Sequence, residues 1–560
     1  MTEYGPTLRI ARELHQNKYR LPEETFEEAM TRIADALTES SEEFYQFKDI
    51  LLNQRFLPGG RIQSAIGSPR QVTSYNCFVS GLVKDNMHSI MDMATEAALT
   101  LRTGGGIGYD FSLLRPRGDH ISTLDSQASG PVSFMGIFDA ICKTISSAGH
   151  RRGAQMGVLR VDHPDIMEFV QAKHNSDKLT AFNVSVGITD EFMEAVIKDE
   201  MFELKFNDKV YTKVNAKRLW ENIMRSTWTW AEPGVLFLDQ INRMNNLYYC
   251  EKISATNPCG EQPLPPYGAC LLGSFNLVKY VTEDRTFDTE QFIADIAPVI
   301  RAMDNVIDVT EYPLLLQKDE AKGKRRMGIG ITGLANALEA MGMVYGTSVF
   351  NSHMNNILET LRNCAYDTSI DLAKEKGKFP LYHACYSDSW FIRTLPSFIQ
   401  ERIRDHGIRN SHLLSIAPTG TISMCADNVS SGIEPVYAPV VDRVIQTFNG
   451  PIVERIEDYG VRYFGTTPRT ATQVPAGDHV RVLCSAQRYV DSAVSKTINV
   501  DPDTNWNDFQ DVYFSAWRGG AKGCTTYRPG GKREGILTEV KDEGLACRID
   551  PETGARSCDE

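Results

Sequence analysis

An amide, a thiol and a carboxylate occupy alternate positions of one short segment, Asn257-Pro258-Cys259-Gly260-Glu261. Alternate residues of an extended backbone face the same side, so the three side chains could converge on one small substrate. Pro258 has no N–H and a fixed φ, and Gly260 permits close backbone approach, which favours a tight segment over a helix. The pattern is typical of a reaction site. The alternative is a turn in which Cys259 is a small buried hydrophobe, the commoner fate of a cysteine.

Residues beyond this segment favour the first interpretation. The run from Asn257 to Leu264 reads NPCGEQPL, and the matching stretch continues to Leu277. Further matching segments lie in order along the chain, at 58–61, 74–77, 150–157, 162–165, 326–330, 417–423, 431–435 and 522–528. With these segments the sequence resembles the catalytic subunits of ribonucleotide reductases, most of all their adenosylcobalamin-dependent class II. Agreement at so many separated positions is not coincidence, and the NPCGEQPL run is very specific to that family.

The local patterns indicate a mixed α/β protein. A helix start is predicted at Pro22, and the apolar stripe after it consists of Phe26, Met30, Ile33 and Leu37. Further helices are predicted from about Asn86 to the glycines at 104–106, and from Pro131 to about Gly149. Alternating apolar and polar residues predict a strand over 181–186. Short apolar runs followed by turns and helical patterns indicate βα units.

The resemblance implies a more specific architecture, a ten-stranded α/β barrel whose central finger loop carries Cys259 into the barrel. It divides the chain into a helical N-terminal segment at 1–57, the barrel with effector site and dimer helices at 58–530, and a flexible redox-active tail at 531–560. The tail composition agrees, because it is charged and poor in apolar residues. Only about 57 residues precede Pro58, so the ATP-binding cone of some relatives, and overall control by ATP and dATP, are not expected.

Composition argues against several classes of function. A chain of 560 residues, 42% hydrophobic and 23% charged, fits a soluble protein with one large core or a few domains. No run approaches the ~18 apolar residues that span a membrane, and the N-terminus lacks a signal-peptide pattern. A net charge of −13 argues against a nucleic-acid-binding surface. The 12 cysteines lack CxxC pairs and close Cys/His clusters, which favours a reducing cytoplasm over a disulfide scaffold or a metal site.

The resemblance also assigns chemistry to the central segment, the reduction of ribonucleotides to 2′-deoxyribonucleotides for DNA synthesis. Removing a 2′-hydroxyl by an ionic route is difficult because hydroxide leaves poorly, whereas a radical at C3′ makes the step feasible. A thiyl radical on Cys259 could abstract the 3′-hydrogen and later return it, since the two bonds are similar in strength. Glu261 is then the general base for the 3′-hydroxyl, a role typically worth ~10²–10⁴-fold, and Asn257 holds the substrate hydroxyls. The structural alternatives are an Asx-turn for Asn257 and a surface salt bridge for Glu261.

Two electrons are needed for each turnover, and two cysteines can supply them by forming a disulfide. The resemblance assigns this role to Cys77 and Cys270, which sequence separation alone could not select. Cys547 and Cys558 in the tail are expected to reduce that disulfide, and thioredoxin or glutaredoxin to reduce them in turn. Family tails carry two closely spaced cysteines, whereas ten residues separate these two, although a turn at 550–554 could join them. Two exposed thiols without a redox role are the alternative.

Two glycine-containing segments are candidates for phosphate binding. The first consists of Ala417, Pro418, Thr419, Gly420, Thr421, Ile422 and Ser423. A Pro/Gly turn that opens a helix exposes unpaired N–H groups to an anion, and the family uses this segment for the phosphates of a ribonucleoside di- or triphosphate. The second, 328–333, fits GxGxxG, but a basic run precedes it instead of a strand, and no acidic residue lies between 340 and 358. We therefore reject a dinucleotide site there.

Regulation is expected at a separate nucleotide site. The resemblance places a specificity effector, a deoxynucleotide or ATP, beside Asp85 and two loops at 117–129 and 173–182. The candidate effector-binding residues are Asp85, Asn86, Arg117, Lys173 and Asp177. Most relatives have serine after the aspartate, so Asn86 departs from the pattern. The helices that start at Asn86 and Pro131 are expected to form the contact between the subunits of a homodimer.

The source of the radical separates the classes of the family. Class I relatives receive it from a second subunit through two adjacent tyrosines, whereas residues 524–527 read CTTY and contain one. This departure favours adenosylcobalamin, bound at the barrel, as the cofactor. The alternatives are a class I-type subunit that needs a radical-generating partner, a catalytically inactive nucleotide-binding relative, and a general thiol oxidoreductase. The presence of all five catalytic residues disfavours the inactive relative, and the lack of CxxC disfavours the oxidoreductase. The glycyl-radical class III is disfavoured because it lacks a partner like Glu261.

Overall fold

A computed structural model describes residues 4–145, 154–174, 178–447 and 450–529, together with short strands at 537–539, 548–549 and 556–557. The α-helices are α1 (Arg9–Tyr19), α2 (Phe26–Leu37), α3 (Ser41–Leu52), α4 (Gly60–Ala65), α5 (Met87–Arg102), α6 (Pro131–Thr144), α7 (Ile166–Gln171), α8 (Asp190–Lys198), α9 (Ala216–Trp230), α10 (Leu238–Arg243), α11 (Thr289–Val309), α12 (Leu315–Lys324), α13 (Leu334–Ala340), α14 (Ser348–Lys376), α15 (Ser397–His406), α16 (Gly420–Cys425), α17 (Ala476–Gln487) and α18 (Trp506–Arg518).

The strands are β1 (Phe56–Pro58), β2 (Cys77–Val79), β3 (Gly106–Asp110), β4 (His120–Ile121), β5 (Ser126–Gln127), β6 (Gln155–Arg160), β7 (Phe182–Ile188), β8 (Met201–Phe206), β9 (Lys209–Asn215), β10 (Gly234–Phe237), β11 (Ala255–Thr256), β12 (Pro263–Leu264), β13 (Ala269–Asn276), β14 (Met327–Thr332), β15 (Val440–Thr447), β16 (Gly450–Glu457), β17 (Thr497–Asn499), β18 (Gly523–Tyr527), β19 (Leu537–Glu539), β20 (Arg548–Ile549) and β21 (Arg556–Ser557). Short 3₁₀-helices lie at Leu277–Tyr280, Ala384–Asp388 and Ile392–Thr394, and a π-helix lies at Gly460–Phe464.

A sheet of ten strands forms the centre of the described structure. Its order is β1-β13-β2-β3-β6-β7-β10-β18-β17, and β14 pairs in parallel along the other edge of β13. Isolated bridges continue the circuit, because Ile329 of β14 pairs with Leu414, and Ile416 pairs with Val494 just ahead of β17. The strands therefore follow one another round a closed path. The predicted ten-stranded α/β barrel is confirmed.

The barrel strands that lie nearest the candidate site are buried along their whole length. Every residue of β13 and β14 is buried, as expected for strands that are covered on both faces. The parallel strands β6, β7 and β10 lead into α7, α8 and α10, and β14 leads into α13. These are the βα units that the sequence predicts, and the helices cover the outside of the barrel. The inside is left for the segment that carries Cys259.

The first predicted helix begins later than its sequence pattern suggested. α2 starts at Phe26 because Thr25 and Glu28 form a reciprocal capping box, in which each side chain accepts a hydrogen bond from the other's backbone N–H. Glu23 has a left-handed φ of 62°, so the chain near Pro22 is a turn. The predicted start at Pro22 is wrong, but the apolar stripe that it introduced is buried as predicted.

The two helices proposed for a subunit contact lie side by side on the barrel. α5 begins at Met87, after the N-cap Asn86, whose Oδ1 accepts from the backbone N–H of Ser89 at 2.9 Å. α6 begins at Pro131, as predicted, and ends at Thr144, which is earlier than predicted. The strand predicted over 181–186 is β7, which begins at Phe182 and continues to Ile188. The helix starts at Asn86 and Pro131 were thus predicted correctly, in contrast to the start at Pro22.

Glu339 is a carboxyl whose ionisation opposes folding. Desolvation raises its pKa from 4.5 to about 8, although the backbone N–H of Arg469 donates to it. The folded state therefore holds a proton that the unfolded state has lost between about pH 4.5 and 8, and stability falls as pH rises through that window. We expect Glu339→Gln to stabilise the protein by roughly 2–3 kcal/mol more at pH 8 than at pH 5. Chemical denaturation at both pH values measures this, and an equal change at both would contradict it.

Few parts of the predicted tail are among the described residues. Leu537 to Glu539 form β19, which pairs antiparallel with Val441 to Arg443 of β15. β20 and β21 pair with each other. Among the described residues, no helix combines the length and apolar character required to cross a bilayer.

Candidate active site

The predicted reaction segment is the tip of a short hairpin, here called the finger loop (residues 255–264). Its strands β11 and β12 pair antiparallel. Three hydrogen bonds close the tip: Asn257 N to Gln262 O, Gly260 N to Asn257 O, and Gln262 N to Asn257 Oδ1. Gly260 has a φ of 83° and open space around it, so it serves a left-handed turn rather than a close approach. The tip is a tight turn, and the alternation expected of extended backbone does not apply to it.

The finger loop lies directly against the inner wall of the barrel. A Cβ placed on Gly108 of β3 would come within 1.8 Å of the Thr256 carbonyl oxygen, so this contact requires glycine. On β7, which is separated from β3 by β6, Asn183 Nδ2 donates to the Pro258 carbonyl at 2.9 Å. The far side of the loop is also held, because the Glu261 carbonyl accepts from Ala493 N at 3.0 Å and from Ser415 Oγ at 3.0 Å. The backbone on both sides of Cys259 is therefore fixed by the barrel.

Asn257 and Glu261 converge on one thiol, Cys77. Asn257 Nδ2 donates to Cys77 Sγ at 3.2 Å, and the Cys77 thiol points at Glu261 Oε1 at 3.8 Å. All three side chains are almost completely buried. Burial, the Glu261 carboxylate and the Cys270 and Cys259 thiols raise the pKa of Cys77 well above its ordinary value. Cys77 is therefore a protonated thiol at neutral pH, and Asn257 combines a loop-closing bond with a contact to a reactive group.

Cys77 and Cys270 face each other across two adjacent strands. The register of β2 and β13 places them directly opposite one another in an antiparallel pair. Opposite residues in such a pair have Cα atoms about 4.5–5.5 Å apart, which lies inside the range that a disulfide accepts, about 4.4–6.8 Å. Both are free thiols in this structure. The geometry of the pair is compatible with a disulfide that forms without moving the barrel.

A cavity of about 600 Å³ opens beside the finger loop. Cys259 is exposed at the tip and lines this cavity together with Pro258 and Gly260. The cavity lining also includes residues of β17, of β18 and of the segment before β17, namely Val494, Ser495, Lys496, Thr497, Asn499, Gly523, Cys524, Thr525, Thr526 and Tyr527. Because Cys259 faces open space, the interpretation of this cysteine as a small buried hydrophobe is wrong.

The candidate phosphate segment lies at the rim of the same cavity. Gly420 opens the short helix α16, after Thr419 in a left-handed conformation with φ 49°, which matches the predicted turn and helix start. Thr419 Oγ1 accepts from Gly432 N at 2.8 Å and is 2.9 Å from Thr332 Oγ1. Pro418 lines the cavity. The segment is therefore tied to the 431–435 turn and to β14, and it lies close to the finger loop.

A buried ion pair in the cavity wall was not found by sequence reasoning. Lys496 Nζ contacts Glu434 Oε2 at 2.7 Å, and the other carboxylate oxygen accepts from Thr497 N at 2.6 Å. Both residues line the cavity. Glu434 belongs to the 431–435 motif and could have been predicted as a site residue from that motif. No motif around Lys496 indicates a role for it. Together they attach the wall of β17 to the turn beside the phosphate segment.

The candidate effector residues separate into two groups. Asp85 accepts from Arg115 Nε at 2.6 Å, and Arg115 N also donates to it at 3.2 Å. Arg117, two residues further along the same loop, pairs with Glu168 at 2.6 Å. Lys173 instead pairs with Glu232, a residue of the cavity wall, at 2.6 Å. Asn86 is occupied as the cap of α5, so the structure brings Asp85 close to the first loop and turns Lys173 towards the barrel.

Three predicted residues lie outside the described residues, namely Asp177, Cys547 and Cys558. The GxGxxG run at 328–333 is described, and its first residues form β14 within the barrel. Residues 328–332 are thus a buried strand whose neighbours are β13 and Leu414. This placement agrees with the rejection of a dinucleotide loop there, although the reason is that the motif is itself the strand.

Comparisons with known proteins find relatives along most of the chain. The sequence profile described as "Ribonucleotide reductase, barrel domain" matches residues 75–461 and 453–527. A "Vitamin B12-dependent ribonucleoside-diphosphate reductase" of Mycobacterium tuberculosis (strain CDC 1551 / Oshkosh) is 33% identical over 98% of this chain and 82% of its own length. A protein with the same name from Thermoplasma acidophilum is 34% identical, over 92% of this chain and 69% of its own. A "Ribonucleoside-diphosphate reductase subunit alpha" of Helicobacter pylori is 23% identical, over 92% and 78%.

Proposed function

Since the chain belongs to the ribonucleotide reductase family, we propose that it reduces ribonucleotides to 2′-deoxyribonucleotides for DNA synthesis through a thiyl radical on Cys259. The observation that carries the proposal is the arrangement at the finger loop. Cys259 faces the cavity, while Asn257 and Glu261 converge on Cys77, which lies opposite Cys270. One site therefore contains a group for each step: Cys259 for hydrogen-atom transfer, Glu261 for proton transfer, and the two opposed cysteines for the supply of electrons.

The protein's residues divide the chemistry as follows. The Cys259 thiyl takes the 3′-hydrogen of the ribose and later returns it. Glu261 accepts the proton of the 3′-hydroxyl, which assists loss of the 2′-oxygen, and Asn257 holds the hydroxyls by hydrogen bonds. The departing 2′-oxygen needs a proton, and the thiol of Cys77, which burial keeps protonated, is placed to give it.

The electrons come from the two opposed cysteines. Oxidation of Cys77 and Cys270 to a disulfide releases two electrons and two protons, the amounts that one turnover consumes. A dithiol must then reduce that disulfide. We assign this step to Cys547 and Cys558, with a thioredoxin or glutaredoxin as the external reductant. Such chemistry requires a reducing compartment such as the cytoplasm.

The substrate is assigned as a ribonucleoside diphosphate. The relatives from Mycobacterium tuberculosis and Thermoplasma acidophilum carry that substrate in their names. The segment from Ala417 to Ser423 is the candidate for holding its phosphates, because the first N–H groups of α16 lack partners within the helix. Pro418 of this segment and Cys259 line the same cavity, which supports the assignment.

A second nucleotide, acting as effector, is assigned to the loop that begins near Arg117 and to Asp85. The same region carries the surface proposed for a homodimer. Met87, Met91 and Leu99 are exposed on α5. They are spaced by four and by eight residues, which places them along one face of the helix. An exposed apolar face next to the effector loop fits a contact between the two subunits of a homodimer, through which an effector bound to one subunit influences the other.

The cavity residues fit adenosylcobalamin, a coenzyme form of vitamin B12, and several relatives are named vitamin B12-dependent. The cavity lining includes small hydroxyl and amide side chains at Ser495, Thr497, Asn499 and Thr525, which suit the neutral amide-bearing rim of a corrin. These residues and Tyr527 are the ones that would hold the cofactor. The chemistry that the group supplies when bound is homolysis of a cobalt–carbon bond, a source of the radical.

Turnover with and without the cofactor tests this function. The purified single chain receives a ribonucleoside diphosphate, dithiothreitol and an effector nucleotide, with adenosylcobalamin, with methylcobalamin as a matched control, or with no cobalamin. Product is expected with adenosylcobalamin alone. Turnover that appears only after addition of a radical-generating subunit would establish the class I-type alternative, and a folded chain inactive under every condition would leave the catalytically inactive relative.

A further inference from the structure

A buried arginine lies in the same sheet row as the two opposed cysteines. Cys270 pairs with Cys77 on one side. On the other side Leu271 pairs with Met327 in the parallel register of β13 and β14, so Arg326 lies one step earlier, beside Cys270. Residues opposite one another on neighbouring strands share a face of the sheet. Cys77, Cys270 and Arg326 therefore form a row with Cys270 in the middle.

Arg326 is a fixed positive charge at this position. Its side chain is 1% exposed, and its Nη1 contacts Glu320 Oε1 at 2.7 Å while its Nη2 pairs with Glu251. Its Nε donates to His412 Nδ1 at 3.2 Å. These carboxylates keep the guanidinium charged, and hydrogen bonds to three partners hold it in one position, close enough to Cys270 to affect the pKa of that thiol.

The two thiols of the pair experience opposite charges. Among the charged groups near Cys270, Arg326 has the largest effect and lowers its pKa, against burial and the carboxylates of Asp491, Glu261 and Glu320. The largest charge effect on Cys77 comes from Glu261, which raises its pKa. Burial holds the pKa of both thiols well above the ordinary value, and Arg326 is the charge that favours a thiolate on Cys270.

The two sulfurs also differ in the side from which they can be reached. Cys77 contacts Asn257 and Glu261 of the finger loop and belongs to a small buried cluster with Leu272 and Ala417, a residue of the phosphate segment. Cys270 packs inside an apolar cluster of the barrel that includes Val79, Met156, Leu236, Ile253 and Leu264. Cys77 is 3% exposed whereas Cys270 is fully buried, so Cys77 is the more accessible of the two sulfurs.

We propose that Arg326 gives the Cys77–Cys270 disulfide a fixed polarity, so that the incoming thiolate attacks Cys77 and Cys270 leaves as the thiolate. The inference rests on the proposed function. The attacking thiolate of a dithiol forms a bond to Cys77 Sγ, the bond between the two protein sulfurs breaks, and its electron pair stays on Cys270 beside Arg326. The second thiolate of the dithiol then attacks the first, and Cys77 leaves and takes up a proton. Two electrons pass from the dithiol, which becomes a disulfide.

The attacked sulfur can be identified directly. The full chain is oxidised, treated briefly with glutathione, quenched with acid and alkylated, and the peptides are examined by mass spectrometry. Glutathione is expected on Cys77 in at least about tenfold excess over Cys270, because the better leaving thiolate sets the direction of exchange. Equal labelling, or an excess on Cys270, would overturn the inference. If oxidation does not form a disulfide between Cys77 and Cys270, the result would instead contradict the redox pair on which the proposed function depends.

Variants of the arginine supply the second measurement. R326M is expected to slow reduction of the disulfide by dithiothreitol roughly tenfold, and R326K to stay within about threefold of the parent. The matched control is R362M, which removes another buried arginine, on α14, and should leave the rate unchanged. A parental rate in R326M would overturn the role of Arg326. If R326M does not fold, the R326K variant decides. A tenfold slower reduction of the disulfide in R326K, together with glutathione on Cys270, would overturn the role of Arg326.

Discussion

Cys259→Ser is expected to abolish ribonucleotide reduction, with a loss of at least about 10⁴-fold, because its hydroxyl cannot carry the radical. An alkoxyl O–H bond is much stronger than an S–H bond, so a seryl radical would not form from the same source. The substitution changes one atom of a residue that is exposed at the finger-loop tip. The hydrogen bonds that close the tip involve backbone atoms and Asn257 rather than this side chain. The fold and the affinity for substrate should therefore persist.

The measurement is single-turnover and steady-state product formation with cofactor and effector present, beside substrate binding by equilibrium dialysis. Cys250→Ser is the matched control, because Cys250 is also an exposed thiol and lies outside the cavity wall. It should retain parental turnover. Activity in Cys259→Ser above a few per cent of the parent would mean that another group carries the radical, and Cys524, which lines the same cavity, would be the next residue to replace.

The parts of the site that sequence could reveal are those encoded locally. The NPCGEQPL run specifies a turn with a thiol at its tip, and the structure contains it as the end of a hairpin. The starts at Asn86 and Pro131 were visible because caps and helix-opening prolines act over one turn. The misplaced start at Pro22 could have been corrected from the sequence, because Thr25 and Glu28 form the capping box that determines where α2 begins.

Long-range neighbours could not be obtained in this way. The opposition of Cys77 and Cys270 depends on β2 being inserted next to β13, which no spacing in the sequence reports. The same is true of Lys496, whose carboxylate partner lies 62 positions away, and of Gly108, which requires glycine only because the finger loop crosses it. Such residues are selected by the closed order of the barrel rather than by their own segments. Resemblance to a family supplied part of that order in advance, and the row that ends in Arg326 became visible only with the strand register.

Glu261→Gln is expected to lower kcat by ~10²–10⁴-fold with little change in KM, because the amide keeps the size of the side chain and loses its capacity to accept a proton. The position of residue 261 should not change, since its backbone carbonyl is held by Ala493 N and Ser415 Oγ. Loss of the negative charge should also make the Cys77 thiol more acidic, because the carboxylate raises its pKa in the parent. Alkylation of Cys77 should therefore be faster in the variant at a given pH.

The matched control is Glu339→Gln, which makes the same chemical change at another carboxyl, one that does not line the cavity. Its pKa of about 8 means that Glu339 is mostly protonated at pH 7, so the amide should leave turnover unchanged at that pH. Together the two variants separate a carboxylate that works as a base from one that is merely buried. Parental kcat in Glu261→Gln, with faster alkylation of Cys77 confirming that the charge was removed, would assign proton transfer from the 3′-hydroxyl to another group.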